Sequence, residues 1–164
     1  MKPLISFIFL VFFANTAFAG ECNDLDTLFD ATESFSCLND SGNKVCINFG
    51  YHDTVQQDGM RIFEVVNNAV GDGDYMIFND PAPFACFFSF GFKACTHQWV
   101  KETKNGYKAY RKRNPDVWDA RKSETNFELD AITGIAEKTG KGWDVNGDLV
   151  SETTETYSSC VLEL

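Results

Sequence analysis

Beyond residue 35 the apolar positions recur mostly every second residue, in short runs broken by Gly, Asn, Asp and Ser. That is the pattern of half-buried strands joined by tight turns. Residues 36–38 and 44–49 flank Asp40-Ser41-Gly42-Asn43, a four-residue hairpin loop that sets Cys37 opposite Cys46. Residues 97–104 and 107–114 are joined by Asn105-Gly106, the preferred pair for a type I′ turn. Residues 127–131 alternate, end at Thr133-Gly134, and return through 135–138. Residues 143–145 and 149–150 flank Asn146-Gly147, and 153–164 suit a closing strand rich in Thr, Tyr and Val.

Two segments carry helical spacing. Residues 23–35 place Leu25, Leu28, Phe29 and Thr32 on one face behind Asn23 or Asp24 as N-cap, which predicts a short amphipathic helix. Asn114-Pro115-Asp116, followed by Arg121 and Lys122, predicts one or two further turns. Residues 60–70 fit a helix ending at Gly71 about as well as a strand, and their β-branched content favours the strand. The densest apolar stretch, 84–92, aligns Phe84, Cys86, Phe88, Phe90 and Phe92 if it runs as one strand, and is expected at the centre of the core. The predicted fold is mostly β: an antiparallel sandwich or partly closed barrel, with a short N-terminal helix, one further short helix, and disulfide staples.

The first nineteen residues depart from this pattern. Lys2, an apolar run over 4–13 and Ala17-Phe18-Ala19 before Gly20 read as a secretory signal peptide. The run is about half the ~20 residues of a membrane span. The expected organisation is a leader over 1–19 and a single globular domain over 20–164, secreted or periplasmic after cleavage. In such a compartment Cys22, Cys37, Cys46, Cys86, Cys95 and Cys160 serve as disulfide partners. Six cysteines allow fifteen connectivities. Hairpin register favours Cys37–Cys46, proximity suggests Cys86–Cys95 through a bend near Phe90-Gly91, and Cys22–Cys160 follows by elimination.

Charge narrows the partners. The chain holds 24 acids against 14 bases, a net charge of −10, which repels nucleic acid and anionic lipid at long range. Nine of the bases fall within residues 93–122, alongside three acids. Pairing of this segment with acidic neighbours explains the asymmetry, and a basic patch facing an anionic partner is the alternative.

Candidate chemistry is sparse. His52-Asp53 and His97 are the possible proton carriers of a small hydrolase, but no nucleophile elbow or metalloprotease helix accompanies them. Asp144, Asn146, Asp148, Glu152 and Glu155 match five ligand positions of a calcium loop over 144–155. Leu149 replaces the loop glycine, however, and Asn146-Gly147 is explained equally by a hairpin turn. A metal cluster is not expected, since there is no Cys-x₂-Cys pair, and no cofactor is implied. Asn39-Asp40-Ser41 is a glycosylation sequon. The 97–114 hairpin interleaves aromatic and cationic residues: Trp99, Lys101, Lys108, Tyr110 and Lys112 fall on one face, and Arg111 on the other with Val100 and Ala109. These six are the candidate binding residues for a protein or glycan partner, although a half-buried strand pair with snorkelling lysines has the same pattern. The functional expectation is a non-catalytic exported binding protein, one concrete version being an inhibitor of a cationic secreted enzyme.

Overall fold

The computed structural model describes residues 22–71, 73–79, 85–89, 92–114 and 122–163, with the side chains of 85–94 excepted. The leader and the short helix expected from residue 115 lie outside them. One short helix, α1 (Cys22–Leu25), precedes eleven strands: β1 (Phe29–Leu38), β2 (Lys44–His52), β3 (Gln57–Val66), β4 (Ala69–Val70), β5 (Tyr75–Phe78), β6 (Ala85–Ser89), β7 (Phe92–Thr103), β8 (Gly106–Asn114), β9 (Lys122–Asp130), β10 (Ile135–Trp143) and β11 (Leu149–Glu163). They form one antiparallel sheet in the order β4-β3-β2-β1-β11-β10-β9-β8-β7-β6, with β5 paired to β3. Apart from β5, which pairs back to β3, neighbours in the sheet are mostly successive strands, and the long-range junction among the described residues is β1 with β11. The sheet does not close. Its two halves nevertheless approach across the gap, where Asn79 Oδ1 accepts the Val100 N–H at 2.6 Å.

The first helix is shorter than its spacing suggests. Asp26 Oδ1 accepts the N–H groups of Leu28 and Phe29 at 3.0 and 3.1 Å, which turns the chain out of the helix. Residues 29–38 then ladder to β2 on one side and, over 34–38, to β11 on the other. Two ladders offer β1 more than one exposed helical face does. At 60–70 the strand reading holds: Asn67 and Asn68, both at positive φ (53° and 58°), turn β3 into β4.

The β1–β2 loop is one residue longer than expected, so Leu38 faces Lys44 and Cys46 faces Ser36. Cys37 and Cys46 therefore project to opposite faces, and the predicted bridge between them does not form. Cys22 bonds Cys46, and Cys37 bonds Cys160, which replaces the expected Cys22–Cys160 link. Cys95 is also disulfide-bonded. In the β6–β7 ladder Cys86 lies opposite it, so the continuous strand through 84–92 gives way to a hairpin.

The core follows from this register. On the inner face Phe35, Val45, Ile47, Phe49, Met60 and Ile62 meet Phe127, Leu129, Ala136 and Tyr157 from the other half of the sheet. Phe49 stacks on Tyr107 with centroids 3.7 Å apart. Each such side chain contributes about 1.5–3 kcal/mol by leaving water. The described core thus lies between β1–β3 and β8–β11; the aromatic side chains of 84–92, expected at the centre of the core, lie outside the described residues. On the other face of β2–β3, α1 covers Cys46 and Phe63, with Leu25, Val65 and Val70 around them. Beside them Arg61 pairs with buried Asp26 and, through Nε and Nη2 at 2.8 and 2.7 Å, with Asp74. Asn48 Nδ2 donates to Asp26 Oδ2 at 2.9 Å.

Candidate ligand-binding face

Backbone register aligns the outward side chains of β7–β11 in rows that run across the strands. Trp99 lies opposite Tyr110, Tyr110 opposite Asn126, Asn126 opposite Thr139, and Thr139 opposite Thr154. This row carries no charge. With strands about 4.8 Å apart it spans roughly 19 Å. The Trp99 and Tyr110 rings are 6.0 Å apart and tilted by 30°, and both residues are half-buried. Burial first, then Glu124, raises the Tyr110 phenol pKa, so its hydroxyl stays protonated and can donate.

The rows on either side are charged. One runs Lys101, Lys108, Glu128, Glu137, Thr156, and the other His97, Lys112, Glu124, Lys141, Glu152. Lys108 pairs with Glu128 at 2.9 Å, Lys141 with Glu152 at 2.8 Å, and Glu124 receives both Lys112 (3.4 Å) and Lys122 (3.2 Å). Burial pushes the Glu124 carboxyl up, but the two lysines outweigh it and hold it below the usual range. Three bases of the segment read from sequence, Lys108, Lys112 and Lys122, thus pair with acids of β9, in the manner of the pairing explanation. Lys101 lies 5.0 Å from the Trp99 ring centre.

One arrangement is not what stability alone favours. Lys101 faces Lys108, and Glu128 faces Glu137, so a single row sets like charges side by side twice. A groove of about 210 Å³ opens between that row and the neutral one, lined by Trp99, Lys108, Asn126, Glu128, Glu137 and Thr139.

Five of the six predicted binding residues share this face. The turn falls on Lys104-Asn105, one residue early, and the register slips by two from the expected one. A slip of two preserves which face each side chain takes. Gly106 (φ 155°) is required because a Cβ there would sit 2.1 Å from the Leu129 carbonyl oxygen. Arg111 points inward, as its parity dictates, with its guanidinium 5.8 Å from the Tyr75 ring and Nη1 donating to the Met76 carbonyl at 3.5 Å. Lys138 approaches the same ring at 4.9 Å and pairs with Glu155 at 2.8 Å. Sequence reasoning missed Asn126, Glu137 and Thr139. Their alternation was visible, but their place beside the hairpin depends on strand order.

The other candidates are occupied locally. His52 is buried between Phe29 and Phe78, with ring centres 5.2 and 5.5 Å away, and its Nδ1 accepts the Val55 N–H. His97 lies in β7 beside Tyr110, at 5.9 Å. The Asp144 carboxylate accepts the N–H groups of Asn146 and Asp148 at 2.9 Å each, which closes the turn and holds the carboxyl below its usual pKa, Asp148 contributing most. Glu152 and Glu155 are spent on Lys141 and Lys138. Among the described residues no three His, Cys, Asp or Glu side chains group as metal ligands would, and no helix is long and apolar enough to cross a membrane. Asn39 Oδ1 accepts the N–H groups of Ser41 and Asn43, so the sequon asparagine shapes its own loop.

No family model, curated protein or solved structure matches the chain.

Proposed function

We propose that this chain is an exported, non-catalytic binding protein that meets its ligand with the outer face of β7–β11. The observation that carries this reading is the half-buried, outward-facing Trp99–Tyr110 pair at the head of an uncharged row, beside a groove flanked by like-charge neighbours. Local choices that oppose stability are concentrated at functional positions in natural proteins, and a paired aromatic surface edged by lysines and carboxylates suits recognition of a protein or a glycan. The leader-like residues 1–19 and the disulfides Cys22–Cys46 and Cys37–Cys160 support export. Binding is favoured over hydrolysis because His52 is buried between Phe29 and Phe78 with its Nδ1 taken by the Val55 N–H, and over calcium capture because Asp144, Glu152 and Glu155 are engaged in a turn and ion pairs.

The test is retention of material from the native secretome on immobilised protein. The mature chain is expected to hold a ligand and release it with unchanged mass. The Trp99→Ala/Tyr110→Ala variant, with the same melting temperature, is expected to lose it. Equal retention by the variant, no retention by either, or release of cleaved products contradicts the proposal.

A further inference from the structure

We infer that the ligand of this face is a neutral, β-1,4-linked hexose chain laid across the strands along the Trp99–Tyr110–Asn126–Thr139–Thr154 row. The inference rests on the binding role proposed above and names its occupant. A hexopyranose with equatorial substituents presents a flat C–H face, and that face is what two adjacent, outward-facing rings accommodate. After the rings the row offers an amide and two hydroxyls, groups that exchange hydrogen bonds with sugar hydroxyls without demanding charge. The row's length, about 19 Å, and its straight course across five strands suit a linear oligomer rather than a single ring.

Charge selects against the other occupants. Both flanks carry cations and carboxylates, alternating along one and grouped as two lysines then two glutamates along the other, with Lys108–Glu128 and Lys141–Glu152 as close pairs. An acidic polymer lying along the row would meet Glu124, Glu128, Glu137 and Glu152, and a basic one would meet Lys101, Lys108, Lys112 and Lys141. A neutral chain meets neither penalty. Its hydroxyls can donate to Glu128 and Glu137 and accept from Lys108 in the groove between the rows, which relieves the Glu128–Glu137 contact there.

Isothermal titration of the mature protein with cellohexaose and with chitohexaose tests this, with polygalacturonate hexamer as the charged control. Saturable binding of at least one neutral hexasaccharide is expected, with none of the charged one. Trp99→Ala and Tyr110→Ala are each expected to weaken it about ten- to a hundredfold, in the range of aromatic stacking platforms. Trp99→Phe keeps a ring and most of the affinity. Asn126→Leu removes the amide that exchanges hydrogen bonds with the sugar without touching an aromatic, and weakens binding while circular dichroism is unchanged. Absence of binding to both neutral hexasaccharides overturns the inference, as does binding that survives all three disruptive variants. If the hexasaccharides fail while a secretome ligand is still lost with Trp99→Ala/Tyr110→Ala, the glycan assignment falls and the binding face stands. If both fail, both fall.

Discussion

Cys37 and Cys46 occupy the same hairpin yet project to opposite faces of it, because Cys46 lies across from Ser36 and Cys37 from Val45. Each face has its own disulfide as a result. Cys46 holds α1 against β2, and Cys37 holds β11 against β1, a long-range junction of the sheet.

Non-reducing peptide mapping is therefore expected to return Cys22–Cys46 and Cys37–Cys160. The loops closed span 24 and 123 residues, which the chain-entropy picture values at about 3.5 and 4.9 kcal/mol. In urea titrations Cys37→Ser/Cys160→Ser is predicted to lose more stability than Cys22→Ser/Cys46→Ser, by roughly 1–1.5 kcal/mol. A Cys37–Cys46 peptide in the map contradicts this topology.

The Asp26–Arg61 pair makes a second prediction. The Asp26 side chain is fully buried and that of Arg61 is 5% exposed, whereas Asp74 is 31% exposed. Asp26→Ala leaves the buried guanidinium with Asp74 as its remaining acid partner and takes the acceptor from the Leu28 and Phe29 N–H groups and from Asn48 Nδ2, so a loss of about 3 kcal/mol is expected. Asp74→Ala removes a partner that water can replace, at about 1 kcal/mol or less. Chemical denaturation of the two variants checks the order.

Alkaline pH probes the inner face. Burial, then a hydrogen bond to Glu155 (2.6 Å), pushes the Tyr157 phenol well above its ordinary value of 10.0. Burial and Glu33 do the same to Tyr107. A raised folded pKa contributes stability that is complete below pH 10 and is lost as pH climbs toward the folded value. Glu155 has the opposite sign. Burial raises its carboxyl, but Lys138 and Tyr157 prevail and lower it, so its contribution is present at neutral pH and fades as acid protonates it. Phenolate absorbance is expected to show Tyr107→Phe and Tyr157→Phe removing no amplitude near pH 10, but removing it from the alkaline unfolding step.

What the residues alone revealed depended on how each inference tolerated a shift in register. The faces of the β7–β8 hairpin were legible because a slip of two leaves Trp99 and Tyr110 together. The Cys37–Cys46 bridge was not, because one extra loop residue inverts the relation. The helix expected over 23–35 used Phe29 at helical spacing, but Phe29, Phe35 and Cys37 also sit at strand spacing, and the β11 ladder that decides between them is remote in sequence. The Asp26–Arg61–Asp74 group had no sequence signal, since its members meet only once α1 folds over β3. The neutral row was half visible: its aromatic end was in one hairpin, and Asn126, Thr139 and Thr154 joined it only through strand order.

The most direct measurement is the indole N–H resonance of Trp99 in a ¹H–¹⁵N spectrum, assigned by its disappearance in Trp99→Phe. On titration with the ligand retained from the secretome, or with a neutral hexasaccharide, this peak is expected to move saturably, together with the backbone amides of Tyr110, Asn126 and Thr139. A ligand that binds while these four signals stay fixed, and shifts amides elsewhere, contradicts the assignment of function to this face.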